Sequence, residues 1–160
     1  MLNKINSLLI ENGPTMLGKP LQLVPFTVKQ KIIELLLQHQ FEQSLIDGDL
    51  DFLEDHWLKI EVRDLQLTWF ISNIDGKLVV SRAEIPDISF SGNTNDLILI
   101  ATRRQDPDTL FFQRRLIVEG NTELGLCVKN LIDSIDLDTM PKWLRMGLEH
   151  MANLIEKNKE

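Results

Sequence analysis

Apolar and polar positions along the chain switch between two periods, about 3.6 and 2, and the switches mark out the elements. From Thr27 to about Ile46 the apolar residues Ile32, Ile33, Leu35, Leu36, Leu37, Phe41 and Leu45 recur at helical spacing. Thr27 stands three residues before Gln30, the spacing of a capping box, and Phe26 is placed as a hydrophobic staple. The width of the apolar face predicts a well-buried helix, ending at Asp47-Gly48. Beyond an acidic stretch (Asp47, Asp49, Asp51, Glu54, Asp55) the period drops to two. Leu58, Ile60 and Val62 alternate with Lys59, Glu61 and Arg63, and Leu65, Leu67, Trp69 and Ile71 alternate with Gln66, Thr68, Phe70 and Ser72. Asp75-Gly76 is a two-residue turn into a third strand over 77–82, and a fourth strand is expected over 87–91, giving an antiparallel meander with one buried face.

The second half returns to helices. Asn93-Thr94-Asn95 predicts the start of a helix over 96–104, Asp106-Pro107 a turn, and Leu116-Ile117-Val118 a fifth strand ending at Gly120. Asn121 or Thr122 caps a helix to about Ile132. Asp138 caps a last helix to about Lys157, with Met140, Trp143, Leu144, Gly147, Leu148, Met151, Leu154 and Ile155 spaced three and four apart. At the other end, residues 1–10 read as a short amphipathic helix. Residues 11–26 are broken by Pro14, Pro20 and Pro25 yet remain apolar, so they are expected to cover a groove, a core edge or a membrane face. The resulting division is an N-terminal apolar segment (1–26), an α+β domain (27–138) and a C-terminal amphipathic helix packed on it (139–160).

Composition narrows the function. With 160 residues the chain suits one domain, and its formal charge of −7 opposes sequence-independent nucleic-acid binding, which needs clustered cations. A single cysteine, Cys127, excludes an internal disulfide framework and an all-cysteine metal site, and its apolar helical setting predicts a small buried hydrophobe. No apolar run is long enough to span a membrane, and the first residues are too short in apolar length for a signal peptide, so a cytoplasmic location is expected. The three histidines, His39, His56 and His150, lie in unrelated contexts without metal-ligand spacing. No nucleophile elbow, phosphate loop, dinucleotide fingerprint or zinc-protease motif occurs. The acidic stretch lacks the order of a calcium loop and reads as a solvated turn. No enzyme, cofactor or metal is expected.

Residues 106–126 carry the most information. Leu110, Phe111 and Phe112 form an apolar knot between polar stretches, readable as a core plug or as one wall of an apolar cavity. Arg103, Arg104, Arg114 and Arg115 lie close by. They could meet an anionic headgroup or an acidic partner, or pair with Asp106, Asp108 and Glu119.

The strand Asp87-Ile-Ser-Phe-Ser-Gly92, the turn after it, and the run Phe111-Phe-Gln-Arg-Arg-Leu-Ile-Val-Glu-Gly-Asn-Thr-Glu-Leu-Gly-Leu126 resemble the sterol-carrier-protein type-two domain family. That family carries Phe-x-x-Gly-Lys-Leu-x-Ile-x-Gly-Asp/Asn there, followed by a helix. Gln113-Arg114-Arg115 replaces the Gly-Lys pair, which makes the tight turn the point of departure. The resemblance covers roughly residues 35 to 135. It runs nearly end to end for one bacterial branch, through Gly13-Pro14, Val24-Pro25-Phe26, Phe52-Leu53-Glu54, Trp57-Leu58, Met140-Pro141-Lys142 and Leu144-Arg145-Met146.

The resemblance implies a five-stranded antiparallel sheet with helices packed on it around a hydrophobic lipid-binding tunnel. It implies a non-catalytic accessory factor in the oxygen-independent pathway of ubiquinone biosynthesis, holding a polyprenylated quinone precursor or a phospholipid for partner enzymes. The lining expected for such a tunnel is Leu36, Phe41, Leu97, Ile100, Leu110, Phe111, Phe112, Leu126, Leu131, Met140, Trp143, Leu144 and Met151, with Arg103, Arg104, Arg114 and Arg115 at its rim. The Met-rich stripe of the last helix reads equally as core or as a face for a homo-oligomer. Neither the N-terminal segment nor the last helix has a strongly basic face, so any membrane contact would be apolar and weak. The competing reading is a protein-interaction module with a solid core and no lipid.

Overall fold

A computed structural model describes Lys4, Pro20 and residues 22–159. The amphipathic reading of residues 1–10 and most of the 11–26 stretch lie outside the described residues. In chain order the elements are α1 (Phe26–Gln40), α2 (Glu42–Ile46), β1 (Leu58–Val62), β2 (Leu67–Ile74), β3 (Lys77–Ser81), β4 (Ile88–Gly92), α3 (Thr94–Ala101), α4 (Pro107–Phe112), β5 (Ile117–Gly120), α5 (Thr122–Asp133) and α6 (Lys142–Lys159).

The five strands lie in the order β3-β2-β1-β4-β5. All neighbours are antiparallel except β1 and β4, which are parallel, so the sheet is mixed rather than a pure meander. The register explains why. β3 ends at Ser81 opposite Phe70, itself opposite Lys59, while β4 begins with Ile88 beside Leu58. Residues 82–87 therefore move the chain sideways across β2 and β1 instead of turning it back. Period-two patterning identifies a strand and its buried face but carries no information about which edge it joins.

Cross-strand pairing puts Leu58, Ile60, Trp69, Ile71, Leu78, Val80, Ile88, Phe90 and Val118 on one face, where they join the main hydrophobic core. Lys59, Glu61, Ser89, Ser91 and Glu119 occupy the opposite face of β1, β4 and β5. Alternation of this kind suits a sheet covered on one side.

α1 closes the β3 edge of the sheet with polar side chains spaced one turn apart. Gln30 Nε2 donates to Val80 O at 2.7 Å, Glu34 Oε1 accepts from Val80 N at 3.0 Å, and Gln38 Oε1 accepts from Leu78 N at 3.3 Å. These contacts satisfy groups that an open edge would offer to another chain. Gln30 is thereby used on the strand rather than in a capping box, and the helix begins after Pro25 without a side-chain cap. α1 is also less buried than its apolar width suggests. Ile33 and Leu37 pack on the core, whereas Ile32 and Leu35 are 52% and 64% exposed. The helix breaks at the buried Phe41, and α2 follows.

α3 starts earlier and ends sooner than expected. Asn93 makes no capping bond, and Asp64 serves instead, its Oδ1 accepting from Thr94 N at 2.9 Å and Thr94 Oγ1 at 2.8 Å. Asp106-Pro107 opens a short helix, α4, with the proline in its first turn, where a missing N–H is harmless. Asn121 caps α5, its Oδ1 accepting from Glu123 N and Leu124 N. Asp136, not Asp138, caps the turn at 137–139 that precedes α6. α6 packs on α3 through Leu99, Ile155, Ile98 and Leu154, and Arg104 reaches Glu156 at 2.8 Å.

The turn where Gln113-Arg114-Arg115 replaces Gly-Lys keeps the conformation that glycine favours. Arg114 has φ of 60°, and Arg114 N and Arg115 N donate to Phe111 O and Leu110 O. A side chain in the left-handed region costs about 1 kcal/mol.

Two stability measurements check these points by denaturant titration. Glu34→Ala leaves Val80 N without its acceptor and is expected to cost about 1–3 kcal/mol; an unchanged midpoint would show that the edge is satisfied otherwise. Arg114→Gly relieves the left-handed strain and is expected to stabilise by up to about 1 kcal/mol, whereas a loss would show that the Arg114 side chain supports the turn.

Candidate functional site

Four elements leave a space between them at the β5 end of the sheet. Phe90 of β4, Val118 of β5 and Leu116 just before it contribute to its lining, together with α4 and α5. α4 contributes Pro107, Asp108, Phe111 and Phe112, and α5 contributes Thr122, Gly125, Leu126, Lys129 and Ile132. The pocket has a volume of about 440 Å³, within the range of small-molecule sites, and its walls are mostly apolar.

Local sequence explains the space. The α5 residues Leu124, Val128 and Leu131 belong to the main core, while Thr122, Gly125, Leu126, Lys129 and Ile132 run along the pocket-lining side of the same helix. Gly125 keeps that side shallow, since a Cβ there would already touch Val118 at 3.5 Å and Ile88 at 3.6 Å. Gly120 lets β5 turn closely into α5. It has φ of 123°, and a Cβ would lie 2.5 Å from Asp87 O. On α4, Leu110 is fully buried and anchors the helix, leaving Phe111 and Phe112 to the pocket. Their rings meet edge to face, with centroids 6.2 Å apart. Phe112 and Leu126 are 83% and 58% exposed, so the pocket mouth is itself apolar.

Two ionisable residues appear among the described lining residues, and they bind each other. Lys129 Nζ lies 2.6 Å from Asp108 Oδ1, tying α5 to α4. The hydrogen bond to Asp108 raises the Lys129 amine above its usual value; desolvation opposes the rise, and the charges of Asp108, Asp133 and Asp106 add to it. Lys129 is therefore charged at neutral pH. No described histidine or cysteine side chain lines the pocket.

The residues expected from sequence divide by place. Phe111, Phe112 and Leu126 line the pocket. Leu110, Phe41 and Ile100 are buried in the main core, Leu97 and Leu131 pack against it, and Leu36 is half-buried on α1. Met140 precedes α6, and Trp143, Leu144 and Met151 lie on it, away from this lining, with Trp143 68% exposed.

None of the four arginines is among the described lining residues. Arg103 donates to Asp133 O and Ile135 O at 2.8–3.1 Å, closing the end of α5. Arg104 pairs with Glu156, Arg115 with Asp96, and Arg114 is exposed at the turn after α4. Asp108, named from sequence only as a possible partner of the arginines, pairs with Lys129 instead, and Gly125, Lys129 and Ile132 were not singled out. Of these Ile132 offered a signal, an apolar residue four positions after Val128 on the same helix.

Among the described residues no helix is long and apolar enough to cross a membrane. Residues 33–133 match the SCP-2 sterol transfer family. The chain is 54% identical over 156 residues to the ubiquinone biosynthesis accessory factor UbiT of Escherichia coli strain K12, covering 98% of this chain and 90% of that protein. UbiT of Escherichia coli O157:H7 matches to the same extent. A solved structure, the UbiJ-SCP2 ubiquinone synthesis protein, superposes with a TM-score of 0.54 over 68% of this chain and 97% of the other. At 18% identity, that likeness is one of fold. The helix-covered sheet, the apolar pocket and these matches together place the chain in the SCP-2 sterol transfer family.

Proposed function

We propose that this protein is a non-catalytic, cytoplasmic lipid-binding accessory factor of ubiquinone biosynthesis, serving the oxygen-independent pathway. It shelters part of the tail of a polyprenylated quinone precursor between α4, α5 and the β4–β5 surface, and presents the head to partner enzymes. The observation that carries this reading is the apolar pocket of about 440 Å³ with its apolar mouth at Phe112 and Leu126. If each CH₂-sized unit takes about the volume of a water molecule, the pocket accommodates on the order of fifteen heavy atoms. At roughly 0.8 kcal/mol per buried CH₂, their shelter is worth about 10 kcal/mol before binding costs.

A phospholipid is the alternative cargo. The assignment to ubiquinone biosynthesis is supported by the identity to UbiT, and the oxygen-independent branch rests on the family resemblance of the sequence. The non-catalytic reading is supported by a pocket whose described charged residues neutralise each other instead of standing poised beside a reacting atom. Of the residues expected from sequence, the proposal keeps Phe111, Phe112 and Leu126 as tail contacts. It leaves Arg103, Arg104 and Arg115 to their protein partners. A solid-core interaction module would need α5 and α4 to meet without a gap, and the pocket speaks against it. Exposed apolar residues away from the pocket, Trp143 and Met146 on α6, are candidate contacts for partner enzymes.

Native mass spectrometry of the purified protein is expected to show a bound lipid, and a fluorescent prenyl or fatty-acyl probe is expected to be taken up. Gly125→Leu, which fills the pocket from α5, is expected to weaken probe uptake by about tenfold or more while the fold, followed by circular dichroism, is retained. No bound lipid and no uptake by the unaltered chain would overturn the reading.

A further inference from the structure

The groups that line this pocket and could attract an anion are already answered within the chain, and Arg114, exposed at the turn after α4, is not among its described lining residues. Lys129, the cation of the described lining, is held by Asp108 at 2.6 Å, and Asp133 and Asp106 add negative potential around it. The N-terminus of α5 borders the pocket at Gly120, Asn121 and Thr122, but the Asn121 side chain accepts its N–H groups from Glu123 and Leu124. Glu123 places a further negative charge in that first turn. Arg103, Arg104 and Arg115 are engaged by Asp133 and Ile135 carbonyls, Glu156 and Asp96. A carboxylate or phosphate entering here would have to share Lys129 with Asp108, whose like charge opposes it.

We propose that the pocket selects lipids with an uncharged head, such as a prenylated phenol, a quinone or a long-chain alcohol, over lipids ending in a carboxylate or phosphate. Asp108 is the residue that sets the preference, by occupying Lys129. The inference rests on the lipid-binding reading above and extends it to head chemistry, favouring the quinone precursor over a phospholipid. An uncharged head loses nothing at an ion-paired mouth, and a phenol or carbonyl can still share a hydrogen bond with Lys129 or Asp108.

The test compares lauryl alcohol with lauric acid, which have the same carbon count, as competitors of the neutral fluorophore phenylnaphthylamine at neutral pH. The unaltered chain is expected to favour the alcohol by about tenfold or more. Asp108→Asn frees Lys129 and is expected to shrink that ratio to about threefold or less, through a gain in binding of the acid relative to the alcohol. Asp108→Lys is expected to invert the preference.

Circular dichroism reports that the fold is kept in both variants, and the acid-to-alcohol ratio is read only where it is. Equal affinity of the unaltered chain for acid and alcohol overturns the inference while leaving lipid binding standing. So does an equal loss of both ligands in Asp108→Asn with the fold intact, because Asp108 would then only clamp α4. Failure of the unaltered chain to take up fluorophore, alcohol or acid overturns the lipid-binding reading itself, and this inference with it.

Discussion

Walls that stand apart forgo the dispersion contacts that closing the gap would give them. Here the walls of a pocket of about 440 Å³ stand apart, with its mouth open at Phe112 and Leu126. Water is a poor remedy, because a mostly apolar lining gives it few hydrogen-bond partners. Such walls are stable only if the rest of the chain prevents collapse, and they gain most from an apolar guest.

The remainder of the molecule supplies that rigidity from a distance. α1 closes the β3 edge with three side chains one turn apart, so the sheet is finished on the side away from the pocket. α6 and α3 form a second small core around Leu99 and Ile155 and tie the segment before α4 through Arg104 and Glu156. Leu110 locks α4 into the main core, and the left-handed turn at Arg114 sends the chain directly into β5. Between those fixed points Phe111 and Phe112 are held over the space rather than drawn into it. The Asp108–Lys129 pair then sets the distance between the two helical walls at the mouth.

Much of this was legible in the residues. Alternation gave the strands, Asp75-Gly76 the hairpin, and Asn121 the start of α5, because each is a local rule with a local cause. What escaped was non-local. The side of the sheet joined by β4 depends on where β3 ends, which no period reports. Gln30 fits a capping box by spacing, yet a strand carbonyl offered it a partner. Asp106-Pro107 read as a turn because the helix it opens, Pro107–Phe112, is short and proline-led. Phe111 and Phe112 were identifiable as large apolar residues between polar stretches, and Leu126 as an apolar position of the helix after Asn121. Gly125 and Lys129, which shape the pocket by being small and by being paired, carry no apolar signal at all. Leu110 and Phe111 differ by one position and divide between core and pocket, a distinction only the helix phase supplies.

The most direct test of the central idea is where an apolar guest sits. Nuclear Overhauser contacts between lauryl alcohol protons and the methyl and aromatic protons of the protein would locate it. The account expects contacts from the alkyl chain to Phe111, Leu116, Val118, Leu126 and Ile132, facing one another across the pocket. Contacts confined to the exposed Ile32 and Leu35 of α1, or to Trp143 and Met146 of α6, would contradict it.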